Sequence, residues 1–432
     1  MNRTSIIIIT FVSVLFLTML FVPSLNSNTG QPQDSWPMFR HDPAHSSFST
    51  SIPSTSNQTL WKQPTGGQVW SSPTVANGVV YVGSFDHNVY ALNASTGAII
   101  WAFSTGGEVF SSPAVSNGIT YVGSLDNNTY ALNASTGVQL WNFTTGGAVF
   151  SSPNVADGKV YVASDDSLIF ALNAQTGERL WSYAANAEVQ SSAAVSDGMV
   201  YVGSNDTNIY ALNATTGKKM WGFTTGNYVA SSPAVVNGMV YVGSFDNNTY
   251  ALNATTGALI WNCITGYDEC LQSSPAVHGE IVYTGSSHTF SFFSKGYTES
   301  AIGSTGENIY ALNATLGVII WNYTTGGGVW SSPAVSEGTV YIGSGDNKLY
   351  ALNALTGTLQ WSYETNGAIY SSPAIADGVV YVGSSDNYVY AIGTNTPATK
   401  SGTTMNTYYI VIAAVAAVFV IAVAISIRLR RR

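Results

Sequence analysis

The chain has 432 residues, of which 9% are charged, 12% aromatic and 45% hydrophobic, with 42 glycines, two cysteines and a formal net charge of −9. That composition fits one large, turn-rich β domain and excludes a disordered chain. The acidic balance, with no Lys/Arg cluster ahead of the C-terminus, excludes nucleic acid as a partner.

In chain order, residues 1–29 read as a signal peptide or signal anchor, because 6–22 is uncharged and apolar behind Asn2-Arg3, with Pro23-Ser24-Leu25-Asn26-Ser27 after it. A lead-in segment over 30–57 carries Trp36-Pro37-Met38-Phe39-Arg40 and the pair His41 and His45. No histidine in the chain has metal-ligand spacing, so this pair is expected to be exposed or packed.

Residues 58–393 hold eight near-copies of one unit, roughly V-x-S-S-P-x-V-x-x-G-x-V-Y-V-G-S-x-D-x-x-x-Y-A-L-N-A-x-T-G-x-x-x-W. The closing tryptophans are Trp61, Trp101, Trp141, Trp181, Trp221, Trp261, Trp321 and Trp361, 40 residues apart except for one step of 60. A period of this size means a propeller, a solenoid or an array. Within the first copy the runs 69–75, 79–84, 89–93 and 98–103 are β-branched or aromatic. They are separated by Asn77-Gly78, by residues 85–88 and by residues 94–97, which is hairpin turn chemistry. Four antiparallel strands, A to D, joined only by hairpin-length links make a propeller blade, not a solenoid turn. The last copy stops after strand C at 389–392, and an isolated strand D stands ahead of the first at 58–62. The expectation is an all-β, eight-bladed propeller of four-stranded blades, the N-terminal strand closing the last blade so that no edge is left open.

The motif Tyr-Val-Gly-Ser-x-Asp followed by Tyr-Ala-Leu-Asn-Ala-x-Thr-Gly-x-x-x-Trp resembles the tryptophan-docking repeat of the pyrroloquinoline-quinone (PQQ) repeat family of eight-bladed propellers. Residues 36–40 are similar to the segment that precedes the ring in those proteins. The resemblance implies blade docking by the eight closing tryptophans and two functional branches: quinoprotein dehydrogenases, and non-catalytic scaffolds such as the lipoprotein of the bacterial outer-membrane assembly machine. The dehydrogenase branch carries long inter-strand insertions, an adjacent-cysteine disulfide and a Glu/Asn/Asp set for calcium and base. Here the blades are minimal, Cys263 and Cys270 are not adjacent, and no such acid set carries over.

Three features are candidate sites. The residue before Ser-Ser-Pro is aromatic in blades seven, eight, one, two and three (Trp330, Tyr370, Trp70, Phe110, Phe150) and polar or small in blades four to six (Gln190, Ala230, Gln272), with Glu108 and Glu188 two residues earlier in their strands. Facing the channel, this arc would hold a flat cofactor or a sugar; facing the next blade, it is packing. The sixth blade carries an insertion with Phe290, Phe292, Phe293 and Tyr297, which either meets a partner or folds back on the blade. Cys263 and Cys270 flank the link into the sixth blade, on the same face as the insertion, and are expected to form a disulfide in an oxidising compartment. The turn aspartates Asp86, Asp126, Asp166, Asp206, Asp246, Asp346 and Asp386 are expected to satisfy turn amides rather than metal. Gly326-Gly327-Gly328 opens a strand, so it is no phosphate loop.

Acceptor sequences for N-glycosylation occur at Asn57, Asn93, Asn127, Asn133, Asn142, Asn205, Asn213, Asn247, Asn253, Asn313 and Asn322. Duplication of one turn explains their number equally well. Beyond the ring, 394–407 reads as a stalk, 408–427 as a transmembrane helix, and 428–432, with four arginines, as a cytoplasmic tail. The ring is thereby expected outside the cell. The function expected is a membrane-anchored, non-catalytic binding or scaffold module for protein or glycan partners, with no metal and no cofactor. The alternatives are a quinoprotein-type dehydrogenase binding PQQ and calcium, and a structural cell-envelope component.

Overall fold

The computed structural model describes residues 35–52, 54–266, 273–287 and 307–394. The expected signal segment, stalk, transmembrane helix and tail lie outside the described residues, as do Cys270, Gln272 and the insertion residues Phe290, Phe292, Phe293 and Tyr297. Among the described residues no helix is long and apolar enough to cross a membrane.

Eight antiparallel sheets form the ring, each built on four strands in the order A, B, C, D. In blade 1 these are Thr74–Ala76, Val79–Gly83, Asn88–Asn93 and Ile99–Ser104. Strands B and C are almost wholly buried, and strand D shows alternate residues to solvent. Asn77 and Gly78 both have positive φ, 51° and 74°, the geometry of a two-residue turn that matches strand twist. At the C-to-D turn the Asn93 carboxamide oxygen accepts the N–H groups of Ser95 and Thr96, both at 3.0 Å.

Strand A is shorter than the seven residues expected. Only Thr74–Ala76 pairs within its own sheet, because Pro73 has no N–H to give and the preceding residues bond to neighbouring blades. Val69 N–H donates to the Ser384 carbonyl of blade 8 at 3.1 Å. The Ser72 N–H donates to Ser112 Oγ, Ser112 to Ser152, and so on through Ser192, Ser232, Ser274, Ser332 and Ser372 back to Ser72. These eight bonds, 2.8–3.0 Å long, form a closed circle around the axis.

The outer junctions are held by the tryptophans. Trp61 Nε1 donates to the Ala94 carbonyl at 2.8 Å, and its indole lies against Gly97, whose φ is 74° and where a Cβ would come within 2.7 Å of the ring. The same pairing recurs from Trp101 with Ala134 to Trp321 with Ala354. Closure follows the expected route: Thr59–Pro64 pairs antiparallel with Tyr388–Ile392 as strand D of blade 8. That blade therefore has no C-to-D turn, and Trp361 docks instead on the carbonyl of Ser54, at 3.1 Å.

The lead-in segment closes one end of the channel. Inner strands expose N–H groups along the axis that must find partners. Trp36 bridges Val75, after which the carbonyls of Pro37, Pro43, Ala44, Ser46 and Ser47 accept from Val115, Val195, Val235, Val277 and Val335 in turn, at 2.6–3.0 Å. Phe48–Ser49 then adds a fifth, parallel strand to blade 7. Arg40 and His45 are buried within this spiral: Arg40 Nη1 donates to the Ser232 carbonyl at 3.0 Å, and His45 Nδ1 to that of Pro233 at 3.1 Å. Burial first, then the Arg40 charge, drives the His45 pKa down to about 3, so its ring is neutral.

Candidate functional site at the open mouth

Strand A runs away from the mouth, so Trp70 and its equivalents sit at the channel end opposite the lead-in segment. The side chains meet across blades. Trp70 lies 5.5 Å from Phe110 and 4.7 Å from Tyr370, centroid to centroid, and 6.5 Å from Trp330 two blades away. A ring that approaches rings from three other blades points toward the axis, not into one inter-blade seam. Phe110 continues to Phe150 at 5.2 Å, and Tyr370 stacks on Trp330 at 4.7 Å with 28° between planes. The five aromatic residues thus form one connected, half-buried arc.

Phe85 belongs to the arc and was missed from sequence. It packs 4.9 Å from Trp70 and 4.2 Å from Phe110. Its position, after the invariant-looking serine of the B-to-C turn, reads Leu125, Asp165, Asn205, Phe245, Gly345 and Ser385 in other blades. Such variability inside a near-identical repeat was the available signal. Trp70 Nε1 donates to Gln68 Oε1 at 2.8 Å and to Ser385 Oγ at 3.0 Å, which sets its ring plane.

The opposite sector is mixed, with Tyr228 and Phe245 6.3 Å apart, centroid to centroid, beside a polar cluster. Gln190 Nε2 donates to Asp165 Oδ1 at 3.3 Å, and the Asp165 pKa is pushed up to about 6 by burial, with the Glu188 and Asp166 charges adding and the Gln190 bond opposing. Glu188 therefore joins a cluster with Asp165 and Gln190, while Glu108 sits two blades earlier, ahead of strand A of blade 2.

The turn aspartates are occupied. Asp86 accepts Gly66 N–H at 2.6 Å, Asn88 N–H at 3.0 Å and Tyr90 Oη at 2.6 Å, tying the D-to-A link to the B-to-C turn on the mouth face. Asp126, Asp206, Asp246, Asp346 and Asp386 each accept the corresponding tyrosine. Burial acts to raise the pKa of Asp126 and Asp206, yet the tyrosine, backbone and asparagine donors outweigh it and hold both below the ordinary carboxylate value. Among the described residues no three His, Cys, Asp or Glu side chains converge as a metal site. A flat cofactor sandwiched between two rings needs those planes about 7 Å apart, twice a carbon contact distance. Trp330 and Tyr370 are stacked directly on each other, and Phe85 fills the angle between Trp70 and Phe110. Packed in this way, the arc itself leaves no slot of that width between its rings.

Cys263 lies half-buried on strand D of blade 5, and burial pushes its thiol pKa up; its expected partner, Cys270, is outside the described residues. The carboxamide oxygens of Asn133, Asn213, Asn253 and Asn313 accept turn N–H groups as Asn93 does. Asn173 and Asn353, which have no acceptor sequence, make the same turn, so the asparagine has a folding role independent of any glycan.

The family model for outer membrane protein assembly factor BamB, built on PQQ repeats, matches residues 50–113, 86–193, 186–325 and 305–400. BamB from Moraxella catarrhalis superposes with a TM-score of 0.64 at 18% identity, covering 78% of this chain and 99% of that one. A europium-containing methanol dehydrogenase gives 0.67 at 16%, covering 84% and 99%. The quinohemoprotein alcohol dehydrogenase from Comamonas testosteroni gives 0.69 at 17%, covering 84% and 81%. At these identities the structural likeness establishes fold alone. No curated protein matches the sequence. With the model spanning the whole ring, the chain belongs to the PQQ-repeat family of eight-bladed propellers described by outer membrane protein assembly factor BamB.

Proposed function

We propose that this protein is a non-catalytic binding platform, anchored to the membrane by its C-terminal segment with the propeller outside the cell, that captures a protein or glycan partner at the aromatic mouth. The observation carrying this reading is that the arc is packed ring on ring, presenting one continuous aromatic surface rather than a slot. Half-exposed aromatic residues beside carboxylates suit sugar faces and the apolar side chains of a partner segment. The turn carboxylates, each consumed by neutral donors, serve to hold the mouth loops in place. The family relationship to an assembly factor supports protein capture by the same fold.

The test is chemical cross-linking of the full chain in its native membranes, comparing wild type with Trp70→Ala and Trp330→Ala. Loss of a specific partner from both variants, with the ring still folded by circular dichroism, is the expected result. Undiminished capture would remove the mouth as the site. Calorimetric titration with PQQ and calcium is expected to show no saturation, and saturable binding that Trp70→Ala abolishes would replace this reading with the dehydrogenase one.

A further inference from the structure

The repeat departs from its own pattern at two adjacent C-to-D turns. The turn tip is Ser-Thr, Gln-Thr or Thr-Thr in blades 1 to 5, but Thr315-Leu316 in blade 6 and Leu355-Thr356 in blade 7. Both leucines stand in water, Leu316 66% and Leu355 69% exposed, the highest values among the large apolar side chains of the described residues. Behind them Val318, Ile319 and Leu359 are 55%, 47% and 45% exposed. Nothing in the turn requires leucine: the Asn313 oxygen still accepts the Thr315 and Leu316 N–H groups, as its equivalents do in blades 1 to 5 and 7. Leu355 also removes the glycan acceptor that Asn353 would otherwise have. Across the ring, blades 3 and 4 carry Glu178, Arg179, Lys218 and Lys219 at the corresponding places, all exposed. Blade 2, directly across from blade 6, exposes Val138 at the place of Val318, so it is the two turn-tip leucines, not the residues behind them, that set blades 6 and 7 apart.

The position of the chain ends says what covers the apolar sector. The Ala94 N–H donates to the Gly78 carbonyl, which places C-to-D turns on the same face as A-to-B turns and the lead-in segment. The ring ends on that face too: Gly393 bonds to the Gln58 carbonyl at 2.9 Å, beside Gly378 of the last A-to-B turn. This exit occupies the C-to-D place of blade 8, the neighbour of blade 7. From there, fourteen residues (394–407) lead to the apolar stretch 408–427, a reach of at most about 50 Å even fully extended. We propose that the rim of blades 6 and 7 is a lipid-contact surface, with Leu316 and Leu355 inserted at the bilayer interface so that the ring leans on the membrane and turns its aromatic mouth outward. The inference rests on the membrane-anchored reading above. Two leucines dipping into an interface provide apolar burial without charge attraction.

All eight sheets are drawn from residues 48–392 and the ring closes on itself, so residues 30–400 form a self-contained domain for the test. Flotation of this domain with phosphatidylcholine vesicles is expected to show salt-insensitive partitioning that falls roughly tenfold or more in Leu316→Asp/Leu355→Asp, while the control Ser95→Asp/Ser135→Asp partitions like wild type. Equal partitioning of the leucine variant, or none by wild type, overturns the proposal. If the leucine variant instead loses a concentration-dependent dimer in sedimentation while vesicle binding is unchanged, the sector contacts a second copy and the lipid proposal falls. Protease protection of the full chain in sealed vesicles reads the anchoring separately: an anchored, outward propeller with no leucine effect sinks the rim contact alone, and an unanchored one sinks both.

Discussion

Replacing Trp181 measures what a docking tryptophan contributes to the ring. Its side chain is 8% exposed and its Nε1 donates to the Ala214 carbonyl at 3.1 Å. Tyr161 Oη donates to the same oxygen at 3.2 Å, so Trp181→Phe leaves the acceptor satisfied and loses about 1 kcal/mol of net hydrogen bonding. Adding the smaller ring's lost burial brings the cost to about 2 kcal/mol. Trp181→Ala empties the seam against Gly217 and should cost about 3–5 kcal/mol. Trp361 is the internal comparison, because it is only partly buried and docks on Ser54 of the lead-in segment rather than on a blade turn. Guanidinium unfolding of residues 30–400, followed by fluorescence and circular dichroism, should rank Trp181→Ala as most damaging, then Trp181→Phe, then Trp361→Phe. A Trp181→Ala loss below about 1 kcal/mol, or a Trp361→Phe loss exceeding that of Trp181→Phe, would refute docking as the source of inter-blade stability.

Gly217→Ala should destabilise more than Gly198→Ala in the same assay, since both residues have positive φ (69° and 73°) but only Gly217 would place its Cβ 2.7 Å from an indole; equal effects would mean the indole moves freely. The neutral buried His45, with its pKa near 3, contributes stability that is lost as pH falls from about 6.5, its unfolded value, toward 3. His45→Gln should flatten the acid limb of a pH–stability curve, and an unchanged limb would show that His45 does not titrate on unfolding. Asp165 has the opposite sign: with its pKa raised to about 6, its contribution is full below the unfolded value of about 3.9 and is lost as pH rises through 6. Asp165→Asn should therefore raise stability at neutral pH, as read by thermal unfolding at pH 5 and pH 7.5. Glycopeptide mapping of the native protein should find sugar at Asn93, Asn133, Asn213 or Asn253 and none at Asn313, beside Leu316; a fully occupied Asn313 would contradict rim contact with lipid.

Blade number, strands per blade and the route of closure were all legible in the chain. Each depends on local chemistry repeated at a fixed period: Asn77-Gly78 must turn, a run such as Val79–Gly83 must pair with its sequence neighbour, and a strand D with no blade of its own, Thr59–Pro64, has one open edge left to fill. What the sequence left open were relations between residues far apart in the chain. Whether Trp70 faced the axis or a seam depended on where Trp330 and Tyr370 end up, some 260–300 residues away, and periodicity carries no information about the radial direction of a residue near the channel end. The front of strand A read as an ordinary strand, yet its donors go to neighbouring blades, a bond that no single repeat contains. The lead-in segment has no pattern of its own; its course around the axis is imposed by the unpaired N–H groups of the inner strands. Local turn and strand chemistry thus determined the architecture from sequence alone, while the mouth, the plugged end and the leucine-tipped rim were decided only when ring closure brought distant blades to one axis and one face.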